Sequence, residues 1–281
     1  MKIKITSDST CDLSGELLAR YGISLVPLYV IKDGKSYRDG IDISTGDIYA
    51  HVDAGGALCS TSAVSENDYE AFFRREMAGY DGLVHLTISS EMSACYQNAC
   101  NVARRMAHVA VVDSRNLSTA QGLLALEGAE MAQQGNMDES QIAAALRELV
   151  PLVDASFILD RLDYMRKGGR CSAVAALGAN LLSIKPCIEV HDGKMGVAKK
   201  YRGTLEKILR AYVRDRLSGS EALRTKRIMI THTPMPDGTV DIVREEIERC
   251  RHFDEILETE AQCTIACHCG PHTLGILYIR Q

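Results

Sequence analysis

The stretch Leu83-Val84-His85-Leu86-Thr87-Ile88-Ser89-Ser90-Glu91-Met92-Ser93 decides the architecture. Its first six residues are apolar except for His85 and Thr87, and a hydroxyl-rich turn follows before a helix predicted to run to about Met106. A strand apolar on both faces belongs inside a parallel sheet covered on both sides. Toward the N-terminus, residues 2–6 alternate with the two-residue period of a strand. Asp12 is then expected to cap a helix through Tyr21 that Gly22 ends. Residues 23–31 read as a second strand, and Asp33-Gly34 as the hairpin turn into residues 36–43. Ser44 with Asp47 opens a short helix, and Ser65 with Asp68 caps another whose apolar face is Tyr69, Phe72, Phe73 and Met77. Toward the C-terminus, a strand at 109–112 precedes a helix at 117–134 stopped by Gly135. Asp138 with Gln141 caps one more. The order βαβαβα predicts a parallel sheet flanked by helices.

Past Pro151 the rhythm changes. Residues 185–198 form two arms about the turn His191-Asp192-Gly193-Lys194, and helices are expected at 204–217 and 240–251. Strands are expected at 227–231, 255–258, 264–268 and 275–279. The fold class is therefore α/β in two domains: residues 1–152, with a parallel sheet, and residues 153–281, α+β with a mixed sheet. Residues 171–184 carry no charge; they are too short and too polar to span a bilayer and read as a buried helix.

Composition narrows the functional classes. The chain has 281 residues, 46% apolar and 25% charged, and its net charge is 32 − 37 = −5. A protein so charged offers no overall footprint for nucleic acid. Its ten cysteines are dispersed, and it starts Met-Lys-Ile-Lys-Ile with no signal-peptide core, so reduced thiols and a cytoplasmic location are expected.

Ligands of open parallel sheets bind where strand ends meet helix starts, and this chain loads those turns with hydroxyls: Ser7, Ser9 and Thr10; Ser60, Thr61 and Ser62; Ser89, Ser90 and Ser93; Ser114 and Ser118. Each cluster alone reads as ordinary capping. Together they suit an anion held beside helix N-termini, with Thr61 and Ser93 the leading pair and Ser62 secondary. No glycine-rich phosphate loop and no G-x-S-x-G elbow is present, so a carboxylate is the better anion. A second cluster, Cys263, Cys267, His268, Cys269 and His272, is dense in soft ligands. Its spacing suits an alternating strand better than a metal site, with the three cysteines on one face and His268 on the other. His268 reads either as a functional neutral histidine or as a satisfied core residue. The third cluster is basic: Arg161, Arg166, Lys167, Arg170, Lys185, Lys199, Lys200 and Arg202. It is either solvated surface or a docking face for an anionic partner, and no aromatic interleaving favours nucleic acid.

Taken in order, several segments resemble the DegV family, which includes the fatty-acid-binding subunits of bacterial fatty acid kinase. They are Thr6-Ser-Asp-Ser-Thr-Cys-Asp-Leu13, Thr61-Ser62 with Ser65, Ile88-Ser-Ser-Glu-Met-Ser93, Val112-Asp-Ser114, Arg166-Lys-Gly-Gly-Arg170, Ile184-Lys-Pro186, Arg202-Gly203 and His268-Cys-Gly-Pro-His-Thr-Leu-Gly275. The resemblance implies one long-chain fatty acid buried between and within two α/β domains. Thr61 and Ser93 would bind its carboxyl group, with His268 close by and Arg170 ordering the network. It further implies that a separate ATP-dependent kinase forms the acyl phosphate, that Arg202 is a docking candidate, and that the chain itself has no catalysis, cofactor or metal. Family members commonly carry Gln-Pro at Ala63-Val64 and Gly at Glu91 and at His272, so the mouth and the preferred acyl chain are expected to differ here. The rival reading is a small-molecule hydrolase or phosphotransferase using Ser93 or His268.

Overall fold

The computed structural model describes residues 1–175, 184–218 and 223–281. In the first half, β1 (Ile3–Asp8) runs through a single 3-10 turn into α1 (Gly15–Tyr21). The cap of α1 is Ser14, whose hydroxyl accepts from the Leu17 amide, and Gly22 closes the helix in the left-handed conformation. Asp12 is not the cap: it adopts φ 51° after the 3-10 turn and sends its carboxyl inward. The expected strand at 23–31 is two strands, β2 (Ser24–Val26) and β3 (Tyr29–Lys32), broken at Pro27, which has no N–H for a ladder. Asp33 and Gly34, both at positive φ, turn β3 into β4 (Lys35–Arg38). Then follow α2 (Thr45–Asp53), with the Ser44–Asp47 capping box, β5 (Ser60–Ser62), α3 (Glu66–Glu76), β6 (Gly82–Thr87) and α4 (Cys95–Ala103). β7 (Val109–Asp113), α5 (Ser118–Gln134) and α6 (Glu139–Leu149), with the Asp138–Gln141 capping box, complete this half.

The second half comprises β8 (Val153–Ile158), α7 (Leu162–Gly168), α8 (Ser172–Ala175), β9 (Ile184–His191), β10 (Lys194–Arg202) and α9 (Leu205–Leu217). β11 (Leu223–His232), α10 (Thr239–Cys250), β12 (Glu255–Glu260), α11 (Cys263–Cys269) and β13 (Leu274–Arg280) follow. Of the helix expected over 171–184, α8 is seen, and residues 176–183 lie outside the described residues. The strand expected at 264–268 is instead the helix α11.

Three sheets result. β2-β1-β6-β7 is wholly parallel, as the apolar run at 83–88 predicts. β10-β9-β8-β13-β11-β12 is mixed, with β11 and β12 parallel and its other pairs antiparallel. β4-β3-β5 is a small antiparallel sheet. Helix α5 lies between the two large sheets, which explains why residues 118–126 are all buried. One apolar cluster joins Ile5, Val84 and Leu86 of the parallel sheet, Leu123 and Leu124 of α5, and Ala155, Met229 and Leu277 of the mixed sheet. Each such leucine contributes about 1.5–3 kcal/mol through burial. The packing leaves no room at Gly122, where a Cβ would stand 2.7 Å from the Cys11 carbonyl oxygen.

Candidate functional site

Past the N-terminal end of α5, where the packing of the two sheets opens, lies a mostly apolar cavity of about 930 Å³, counting the space at its mouth. Its apolar wall includes Ile88, Met92, Phe157, Met165, Met195 and Ile265. Unbranched methionines adapt to an irregular occupant more readily than branched side chains do. Thr61, Ser62, Ser93, Arg170 and His268 all border this space, as does Ser118, whereas Ser7, Ser9, Thr10, Ser60, Ser89, Ser90 and Ser114 do not line it.

The local geometry differs from the expected helix-end site. Thr61 sits on β5, paired with Val30 of β3, while the cap of α3 is Ser65. The Thr61 hydroxyl instead meets the imidazole of His268, Oγ1 to Nε2, at 2.8 Å. Because 263–269 is helical, His268 follows Cys267 around the helix rather than alternating with it, and the face carrying Thr264 and His268 turns to the cavity. Burial, reinforced by the Arg170 charge, pushes the imidazole down to about 4, so it is neutral at ordinary pH. Its Nδ1 has no hydrogen-bond partner among the described residues and faces Gly168, where a Cβ would lie only 2.2 Å away. With the proton on Nε2, the ring donates to Thr61 and leaves the hydroxyl hydrogen free for an acceptor in the cavity.

Ser93 precedes α4, as expected, and its Oγ accepts from the Cys95 amide at 3.3 Å while donating to Cys95 Sγ at 3.2 Å. His268 is thus engaged by Thr61 rather than by Ser93, and the pair needed for a serine nucleophile is not formed. Ser62 is exposed and donates to the Ala63 carbonyl at 3.4 Å. Arg170 is exposed at the rim and donates to the Gly168 carbonyl at 2.5 Å. Arg202 is exposed at the end of β10, with no ion pair among the described residues. Elsewhere the basic cluster is partly neutralised: Lys185 pairs with Asp160, Lys199 with Asp215 and Arg161 with Asp163, each at 2.6 Å. Glu91 pairs with Arg115 and Lys194, and His272 lies 3.5 Å from Asp160. Among the described residues, no three His, Cys, Asp or Glu side chains converge as a metal site.

Two buried acids support the cavity that the sequence reading did not assign to it. Asp12 accepts from Ser118 Oγ at 2.6 Å and from the Gln262 amide at 2.8 Å, joining the starts of α5 and α11. Burial raises its carboxyl well above the usual carboxylate range. Asp8 accepts from the Tyr69 hydroxyl at 2.6 Å and from the Ile88 amide at 3.0 Å, fixing the loop that leads to Ser93. Both acids lie in Thr6–Leu13, every residue of which is buried although most of the segment is polar.

Two α/β halves enclosing an interior apolar cavity define a class of protein built to surround a ligand. The chain belongs to the DegV family: the family model, described as that of an uncharacterised protein, matches residues 2–281. A DegV domain-containing protein of Caldanaerobacter subterraneus subsp. tengcongensis is 30% identical over 283 residues, covering 99% of this chain and 98% of that protein. A Thermus thermophilus DegV family structure, described by its fatty acid binding, matches with a TM-score of 0.89 at 29% identity over 100% of both chains. A stearic-acid-binding protein of Eubacterium ventriosum matches at 0.83 and 26% identity, covering 99% of this chain and 98% of that one. Among the described residues, no helix is long and apolar enough to cross a membrane.

Proposed function

We infer that this protein binds a long-chain fatty acid in the cavity and presents its carboxyl group to a separate ATP-dependent kinase in the cytoplasm. The observation that carries this reading is the apolar cavity bordered by the Thr61–His268 pair. The fatty-acid-binding relatives from T. thermophilus and E. ventriosum support it. At about 0.8 kcal/mol per buried CH₂, a chain of about 15 methylenes contributes about 12 kcal/mol before ordering costs. The tail then supplies most of the affinity. Thr61 and Ser93 bind the carboxyl group, His268 lies beside them, and Arg170 orders the group from the rim, with Ser62 secondary. Neutral donors hold the head group without burying a cation against it, which leaves a carboxylate oxygen able to attack the γ-phosphorus of ATP as the bond to ADP breaks. The kinase supplies that chemistry, so the chain acts as a substrate carrier with no cofactor of its own. The halves 1–152 and 153–281 serve as two domains that share the ligand, and Arg202 is a docking contact for the kinase.

Denaturing extraction followed by mass spectrometry tests the binding. About one fatty acid per chain is expected; no lipid, together with turnover of an ester or phosphate, overturns it. For the carrier role, Arg202→Ala should slow acyl phosphate formation by the kinase without changing lipid content, and equal rates would remove Arg202 from the docking face.

A further inference from the structure

The hydrogen bonds around the head-group site have a direction. Thr61 and Ser93 both line the cavity and both keep accessible surface. The Ser93 hydroxyl donates to Cys95 Sγ at 3.2 Å, and that sulfur lies within hydrogen-bond reach of the Tyr69 hydroxyl. Tyr69 gives its own hydrogen to Asp8 at 2.6 Å, so its oxygen is left to accept from Cys95. Asp8 also faces the Ile88 amide at 3.0 Å and His85 Nε2 at 3.2 Å. Each hydrogen from Ser93 to Asp8 thus points inward. One lone pair of Ser93 accepts from the Cys95 amide at 3.3 Å, and the other is left for the cavity.

At Thr61 the direction is reversed. His268 Nδ1 faces Gly168, where a Cβ would lie 2.2 Å away, so its neighbour there is a carbon-bound hydrogen, which suits a lone pair better than an N–H. The ring proton is then on Nε2, which donates to Thr61 and leaves the Thr61 hydrogen to the cavity. One acceptor and one donor match a neutral carboxyl group, whose O–H donates and whose C=O accepts; a carboxylate only accepts. The titratable side chains on the wall are His232, His268, Cys269 and Arg170. His268 is neutral, burial pushes the Cys269 thiol up to about 12, and His232 faces the Thr233 carbonyl at 2.9 Å and Glu258 at 3.4 Å. Arg170 is exposed and donates to the Gly168 carbonyl. Among the described residues of the wall, no cation is both buried and free to offset the cost of an anion in apolar surroundings.

We propose that the resting complex holds its ligand as the neutral, protonated acid, with Thr61 donating to the carbonyl oxygen and the acid hydroxyl donating to Ser93. The proposal rests on the head group lying at Thr61 and Ser93. Before phosphoryl transfer the acid proton passes to water at the mouth, leaving the carboxylate that attacks.

Hexadecanoic acid labelled with carbon-13 at its carboxyl carbon, bound to the full chain, reports its own ionisation by NMR, because acid and carboxylate resonate at different positions. The bound midpoint should lie above pH about 6, well over the ordinary carboxyl value of about 4.3. Ser93→Ala, which removes the acceptor, should lower that midpoint by about one pH unit. In competition binding, hexadecanamide keeps one donor and one acceptor and should bind at least about tenfold more tightly than hexadecane-1-sulfonate, which is always an anion. A midpoint at or below about 6, an unaltered midpoint in Ser93→Ala, or a sulfonate that binds as tightly as the amide overturns the proposal while leaving fatty acid binding intact. If the labelled acid does not bind, the fatty acid reading itself falls, and this one with it.

Discussion

Thr61 Oγ1 and His268 Nε2 stand 2.8 Å apart across 207 positions of sequence, joining an edge strand of the small sheet to the helix α11. Each group satisfies the other before any ligand arrives, so the pair is held in place in advance. Thr61→Val keeps the shape of the strand residue but removes both its hydrogen bond to His268 and its donor to the cavity. Fatty acid affinity should fall about tenfold, while the melting temperature shifts by only a few degrees. Competition binding and thermal denaturation check this, and undiminished affinity would remove Thr61 from the head-group site.

Gly168→Ala tests the other side of the imidazole. A methyl group there would lie 2.2 Å from His268 Nδ1, so the ring must swing away from α7. Helix propensity alone favours alanine over glycine by about 1 kcal/mol. The expected result is therefore a protein that folds yet binds fatty acid several-fold more weakly, with altered ring resonances of His268 in NMR spectra. Wild-type binding would mean that the ring position is immaterial.

Acid should weaken the fold through His268. Its folded value of about 4 lies below the ordinary histidine value of about 6.5, so between those limits the unfolded chain takes up a proton that the folded chain resists. The contribution is complete above pH about 6.5 and is lost as pH falls toward 4, amounting to at most about 3 kcal/mol. Asp12, whose carboxyl is raised, works in the opposite direction. Urea denaturation of the natural protein and of His268→Asn across this range isolates the histidine. The stability difference between them should decline on acidification, and a constant difference contradicts the assignment.

Asp12→Ala should cost about 2–3 kcal/mol, since it leaves the buried Ser118 Oγ and the half-buried Gln262 amide without their acceptor. Asp12→Asn keeps one carbonyl oxygen and should lose less. Because the same carboxyl joins α5 to α11, the alanine variant should also exchange amide hydrogens of α11 faster than the asparagine variant does. Equal protection in both would show that Asp12 does not anchor that helix.

Where local chemistry sets an element, the sequence alone is a sufficient guide. Ser44 with Asp47, Asp138 with Gln141, Gly22, Gly135 and the Asp33-Gly34 turn all act within a few residues, and each does what its side chain dictates. Helix α11 defeats the same method. Its seven residues span fewer than two turns after an alternating run, too short for periodicity to separate helix from strand. Burial on several sides by α2, α7 and β3 then decides the matter. The site was legible in its residue types but not in its pairing. Thr61 and Ser93 stand in hydroxyl-rich turns and His268 in a run of soft ligands, whereas the bond between Thr61 and His268 depends on a strand pairing and a helix face that no local pattern encodes.

The place of β13 in the mixed sheet bears on the timing of assembly. It lies between β8 and β11, and Gly275 and Leu277 on it form part of the cavity wall. Until those residues insert, β8 and β11 have no common neighbour, and the wall is missing a central stave. Closing a sheet by so distant a segment is slow compared with forming its helices. The cavity wall is therefore whole only once this last strand has paired with both of its neighbours.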